Sequence, residues 1–365
     1  MAQHVIDPAC ADVPGSDAAA ASDAHARFMA QRRFGALDGL RALSIIAVIW
    51  HHTAPSWASR ALVDAGTQGV TLFFAISGFL ITTLMLRERE RSGRIDLPAF
   101  YARRALRIFP LYYLTVLLYI ALVYAVERHT AAGRAFFDNL PYFATYTSNL
   151  FVPLDGRVIF YFSWSLAAEE QFYLLWPLLL SLCRNTRQAA LLLGTVIVVC
   201  IVGHVAQNRF LSAVPLAILA GALLAVGMHR RRAYAHLHRL FGSDACLLVI
   251  ILLLAVSLAS AQPFNFLNAL LCAGLVACCV IREDHLLAGA LALRPLAYVG
   301  SISYGMYLLH MLSKSLVVKL LAFAQLPVEG IHVFALTLVV AIAVATLSFR
   351  YFESIFLRVK TRYAR

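Results

Sequence analysis

Charge is scarce in this chain. Only 14% of its 365 residues are Asp, Glu, Lys or Arg, against about a quarter in soluble domains, and the 19 acids are outnumbered by 31 bases. With 61% hydrophobic residues and a mean hydropathy of +0.76, that excludes a soluble globular protein of ordinary composition. Seven cysteines form neither a CxxC pair nor a Cys/His cluster at metal-ligand spacing, so no zinc or disulfide framework is expected and no metal site is assigned. Met1 to Ala30 lacks an apolar core flanked by a cleavage site, which argues against a cleaved leader. Being polar and rich in Ala and Asp, that stretch reads as a disordered tail over 1–33. Heptads and internal repeats are missing too.

What fills the chain instead is apolar runs. Ten segments approach or exceed the roughly 17–25 residues that cross a bilayer: 37–54, 66–86, 109–126, 163–182, 189–206, 210–228, 243–261, 264–281, 295–321 and 330–352. The expected fold is all-α, a polytopic membrane helix bundle of about ten transmembrane helices. Placing the N-terminus in the cytoplasm puts 22 basic residues in inner segments and five outside (Arg60, Arg128, Arg134, Arg157 and Arg209). By the positive-inside rule both termini are then cytoplasmic. The net charge of +12 is therefore a topology signal, and no nucleic-acid partner is implied. The longest outer loop, 127–162, holds Tyr142, Phe143, Tyr146 and Phe151, composition suited to an interfacial or partly re-entrant segment.

Charged and titratable groups inside such spans are costly in lipid and mark function. On the first span Arg41 and His52 are eleven positions apart, about 20° beyond three turns and about 16 Å along the axis, so they share a face. Asp38 lies close to that face one turn before Arg41. His51 points about 80° from Arg41 and is the alternative to His52 as proton acceptor. Before the third span, Arg104 and Arg107 form an i, i+3 pair with Arg103 beside them; guanidinium forks suit phosphate oxygens, or anchor a helix to anionic headgroups. In the fourth span Ser165, Glu169, Tyr173 and Trp176 recur at helical steps on one face, with Glu170 on another. Glu169 could orient a histidine, balance an arginine or bind a hydroxyl. Ser303, Tyr304, Tyr307 and His310 make a polar stripe in the ninth span that suits packing or cavity lining. Ser77-Gly78 is a small-residue spot fit for close helix contact.

The order and spacing of five stretches resemble the acyltransferase-3 family of bacterial membrane O-acyltransferases. They are GLRAL to WHH at 39–52, FFAISGFLI at 73–81, RRALRIFP at 103–110, SLAAEEQFYLLWP at 165–177 and SISYGMYLLH at 301–310. The resemblance runs from about Gly35 to Glu353. It implies a transmembrane acyltransferase domain over 34–353, with a basic cytoplasmic tail at 354–365, in a bacterial inner membrane. The family's arginine followed eleven residues later by histidine maps onto Arg41 and His52. Its R-x-x-R maps onto Arg104 and Arg107, and its acidic position onto Glu169. Many members read Glu-x-Pro after the last span, whereas this chain has Glu353-Ser-Ile, so a family-style role for Glu353 does not carry over. Some members append an extracytoplasmic hydrolase-like domain; the few residues after the last span lead us to expect none.

The resemblance implies acyl-CoA, usually acetyl-CoA, as cosubstrate rather than bound cofactor, and O-acetylation of a polysaccharide or other hydroxyl acceptor. The expected roles are His52 and Glu169 as catalytic residues, with Glu169 positioning His52 or the acceptor. Arg41, Arg104, Arg107 and Arg103 are expected on the donor side. Asp38, His51, Ser165, Tyr173, Tyr304 and His310 are expected to line the acceptor site or cavity. His52 either acts as general base or first takes the acyl group itself. A transporter or flippase for an anionic lipid-linked sugar is the alternative, and it would also want intramembrane Arg, Glu and His.

Overall fold

The computed structural model describes residues 16–31, 33–153, 155–259 and 265–360, and within them every regular element is helical. The principal helices are α1 (Ser16–Ala30), α2 (Gly35–Thr53), α3 (Gln68–Ser92), α4 (Leu97–Val126), α5 (Ser163–Leu182), α6 (Thr186–Val205) and α7 (Leu216–Met228). They continue as α8 (Arg231–Phe241), α9 (Asp244–Ala259), α10 (Asn265–Ile281), α11 (Arg294–Ser301), α12 (Ser303–Phe323), α13 (Ile331–Ser348) and α14 (Ser354–Lys360). A π-helical turn, Phe349–Glu353, joins the last two.

Each of the ten apolar segments holds a helix, but not every one is by itself long and apolar enough to span. Among the described residues five stretches are long and apolar enough to cross a membrane: Arg60–Ser92, Leu97–Val126, Thr186–Val205, Ser303–Phe323 and Ile331–Val359. The number rises to seven if α1 with α2 (bent by 67°) and α8 with α9 (bent by 72°) each make one span. Leu216–Met228 and Phe266–Ile281 are shorter. The reasons for the shortfall are local. Pro215 separates α7 from the short helix Arg209–Ser212, because a proline cannot continue a helix that needs its N–H. The ninth span breaks at Ile302 between α11 and α12. Helix α5 carries Glu169 and Glu170 within its apolar run.

Half of the expected disordered tail is ordered. Residues 16–30 form α1, while 1–15 lie outside the described residues. Ala24 and Phe28 are buried, and the buried Arg87 donates to the carbonyls of Phe28 (2.7 Å) and Gln31 (2.5 Å). Its guanidinium lies between the rings of Phe28 and Phe34, 5.3 and 5.1 Å from their centroids. A cation thus caps the C-terminal carbonyls of α1, where the helix dipole favours positive charge. Sequence alone hid this, since the stabilising partners come from α3 and α8. Of the expected basic tail, Ser354–Lys360 is α14 and the rest lies outside the described residues.

The loop 127–162 folds over one end of the bundle as three short helices, Ala131–Asp138, Leu140–Ala144 and Ser148–Phe151. Its aromatics divide by exposure: Phe143 and Tyr146 are buried, whereas Tyr142 and Phe151 stack at 5.3 Å and stay partly exposed. Arg157 closes the loop with two 2.8 Å bonds to the Glu127 carboxylate, a bidentate contact that holds the guanidinium above its usual range.

Helix α3 lies against α7 at close approach. A Cβ on Gly78 would come within 1.9 Å of the Ile218 carbonyl, and one on Gly221 within 2.1 Å of the Ala75 carbonyl. The small-residue spot read from the sequence is therefore a backbone-to-backbone contact. We expect Gly78→Ala to lower thermal stability in detergent by about 1–3 kcal/mol through overpacking. Gly194→Ala, on a helix face with nothing within 4 Å, should be neutral or stabilising by about 0.5–1 kcal/mol.

Candidate active site

Helices α2, α3, α4, α5 and α12 enclose a cavity of about 110 Å³, room for a few water molecules. Arg41 reaches it from α2, Ser77 from α3, and Arg104 and Arg107 from α4. Helix α5 supplies Ser165, Glu169, Glu170 and Tyr173, and α12 supplies Ser303, Tyr304 and Tyr307. Three guanidinium groups and two carboxylates thus meet where an apolar bundle would otherwise be dry. Charges kept off lipid and turned to a wet interior are the physically tolerable arrangement.

The three arginines are held differently. Arg41 pairs with Asp38 at 3.1 Å, so Asp38 serves as its counter-ion rather than as a cavity wall. Arg104 lies over the rings of Tyr173 (5.2 Å) and Phe100 (5.9 Å), a cation–π sandwich that fixes it without neutralising it. Tyr173 in turn donates its hydroxyl proton to the Glu169 carboxylate. Among the described residues no carboxylate lies within ion-pair distance of Arg104 or Arg107. Both keep anion-binding capacity facing the cavity.

Two expectations need correction here. Arg103 is turned away and pairs with Glu88 at 3.2 Å, because it sits about 100° around the helix from Arg104. Glu170, placed on a different face from Glu169 by periodicity, also lines the cavity, since helices packed on both sides of α5 widen the enclosed arc. Tyr304 lines the cavity as well and donates to the Ile108 carbonyl at 2.6 Å. Glu353, in the π-turn, accepts from Ser348 at 3.2 Å and lies in electrostatic reach of Arg107.

His52 is elsewhere. It lines a second cavity of about 220 Å³ near the other end of α2, with Ser56, Lys314, Glu329 and Val333. The Tyr161 hydroxyl lies 2.9 Å from its Nδ1 and 3.3 Å from its Nε2, and Lys314 donates to its backbone carbonyl. Its ring stacks on that of His310 at 5.1 Å and 22°. His51 lines neither cavity: its Nδ1 donates to the Val63 carbonyl at 2.9 Å, tying α2 to the helix Arg60–Ala65. The expectation that His51 lines the site is thereby corrected; its ring, about 80° around α2 from Arg41, is taken up by this contact. Tyr161 carried no sequence signal, because an isolated loop tyrosine has no period to betray it.

A thin layer divides the two cavities. The Tyr307 hydroxyl is 2.5 Å from Ser165 Oγ and donates to the Phe162 carbonyl at 3.1 Å. Phe162 packs against His310 at 5.1 Å. His310 Nδ1 donates to the Tyr307 carbonyl at 2.5 Å, which leaves its buried Nε2 as an acceptor with no partner. Neither His310 nor Phe162 lines either cavity. The expected contact of Glu169 with His52 is not made; Glu169 sits on the arginine side of this layer, bonded to Tyr173.

Against known proteins, the acyltransferase domain model of the acyltransferase-3 family matches residues 34–350. The peptidoglycan O-acetyltransferase OatA of Listeria monocytogenes is 29% identical, over 87% of this chain and 55% of its own length. The O-acetyltransferase OatA of Staphylococcus aureus is 36% identical over 160 residues, 40% of this chain and 24% of its own. The chain spans about half the length of the first of these relatives. No solved structure matches.

The layer predicts an accessibility pattern. In a background without other reactive thiols, Ser77→Cys should react with a membrane-impermeant thiol reagent from one face of the membrane only. Adding Tyr307→Ala should open reaction from both faces. Reaction from both faces without the second substitution would contradict a closed layer.

Proposed function

The chain belongs to the acyltransferase-3 family, and from that membership we propose that it is a multi-pass membrane O-acyltransferase, moving an acetyl group from cytoplasmic acetyl-CoA to a hydroxyl of a surface glycan. One observation carries the reading: an arginine cavity and an imidazole pocket lie at the two ends of one helix face, with a single layer of side chains between them. The names of the Listeria and Staphylococcus relatives support acetyl as the group moved, and that of the Listeria relative supports a glycan as acceptor. The 22 to 5 asymmetry of basic residues supports cytoplasmic termini, and with them an even number of crossings, and the sources of the relatives support a bacterial membrane. That orientation puts the arginine cavity on the donor's side.

In this reading the donor's phosphates meet Arg104 and Arg107, with Arg41 deeper. Arg103, committed to Glu88, takes no part. Glu169 serves the donor side by fixing Tyr173, the ring under Arg104, instead of orienting His52. His52 takes the proton of the acceptor hydroxyl as its oxygen bonds to the thioester carbonyl carbon. The C–S bond breaks, the CoA thiolate leaves, and the imidazolium returns the proton to it. The Tyr161 hydroxyl fixes the imidazole ring, and the Ser165–Tyr307 contact must part for the acyl group to pass.

Purified full-length protein in proteoliposomes, given radiolabelled acetyl-CoA and candidate glycans, tests this. His52→Ala should lower transfer by about 10²–10⁴-fold, whereas His51→Ala should leave turnover near wild type and loosen the segment 60–65. Arg104→Ala or Arg107→Ala should raise KM for acetyl-CoA by roughly 10–100-fold, the range for a hydrogen bond to a charged group. Wild-type transfer by a well-expressed His52→Ala protein would end the assignment. Glycan flux across the membrane without CoA release would support a transporter instead.

A further inference from the structure

Away from the arginine cavity, helices α6, α7, α8 and α10 wall a larger space of about 580 Å³. Its lining is apolar, including Ile197, Leu216, Leu223, Phe241 and Phe266, except for two side chains, Arg230 and His236. Arg230 stands at the corner where α7 gives way to α8, and His236 lies midway along α8. Along α7 the lining runs from Leu216 to Gly227, about 16 Å at 1.5 Å per residue. That is the depth of one leaflet of a hydrocarbon core roughly 30 Å thick. The cavity is therefore one leaflet deep, greasy along its length and basic at one end.

We propose that this cavity binds one anionic phospholipid, its acyl chain along α7 and its headgroup phosphate at Arg230 and His236. The charge pattern fits such a ligand. Arg230, Arg231, Arg232 and Arg239 fall within ten consecutive positions that hold no acid, and no carboxylate lines the cavity. The nearby Asp244 faces Arg282 at 3.6 Å, and among the described residues no acid pairs with Arg230. Helix α8 bends by 72° from α9, and buries Tyr234 while leaving Arg232, His236 and Arg239 exposed. Basic pockets between helices at a membrane surface recognise anionic headgroups in this way. A zwitterionic lipid would fill the apolar part equally well, but its own ammonium group offsets its phosphate and meets the surrounding basic cluster with like charge, so net headgroup charge is what the site selects.

The full chain, purified in detergent and equilibrated with equal amounts of phosphatidylglycerol and phosphatidylcholine, is read by native mass spectrometry. Phosphatidylglycerol should be retained in preference. Arg230→Ala should cut that preference about fivefold, the factor for one basic side chain near a lipid surface. Ala220→Trp, or the milder Leu223→Phe if that protein does not fold, fills the apolar part and should lower retention of both lipids. An excess of inorganic phosphate should not displace the lipid, since the buried chain holds it. Equal retention of the two lipids by the wild type, an unchanged preference in Arg230→Ala, unchanged retention in the filled variant, or displacement by phosphate would each overturn the proposal.

Discussion

Guanidinium groups cannot be left against lipid, and that single constraint organises the bundle. Arg41, Arg104 and Arg107 come from two helices distant in sequence, yet all three face one cavity of about 110 Å³ with Glu169 and Glu170 opposite. The apolar outer face of α4, with Phe109, Leu117 and Leu122 exposed, is free to meet lipid because its charged face shares a common interior with that of the buried α2. Close helix approach makes the enclosure possible. Glycines bring α3 onto α7 and α11 onto α2, where a Cβ on Gly300 would strike the Asp38 carbonyl at 1.8 Å.

The same packing separates two chemical environments along one helix. Below the Ser165–Tyr307 contact the groups are three guanidiniums and two carboxylates; above it are an imidazole, a phenol and an amine. A membrane protein with a polar cavity on either side of its middle must keep water and protons from leaking between them. A layer of three aromatic rings and a hydroxyl pair does so with no moving domain. The unpartnered Nε2 of His310 inside this layer is a polar group held at some cost, and it stacks on the proposed base.

Much of the site was legible because helical periodicity is strict. A separation of eleven positions between Arg41 and His52, and of three between Arg104 and Arg107, fixes shared faces whatever the helices pack against. The same arithmetic set His51 apart from His52, and the contact of His51 with Val63 agrees. Periodicity failed where a neighbour decides the outcome. Arg103 and Arg104 are equal in sequence, but Glu88 claims the first and Tyr173 the second. Glu170 was excluded by its angle on α5 and readmitted because the cavity wraps more than one face.

Composition and periodicity alone determined that this is an all-helical membrane chain and which histidine ends the polar stripe of α2, since those follow from the cost of polar groups in lipid and the pitch of one helix. Only the tertiary structure decided how many stretches are long enough to cross, that α1 docks under Arg87, and that Glu169 lies with the arginines apart from His52. Those outcomes depend on partners brought together from distant parts of the chain, and no local spacing encodes a contact whose other half lies more than fifty residues away.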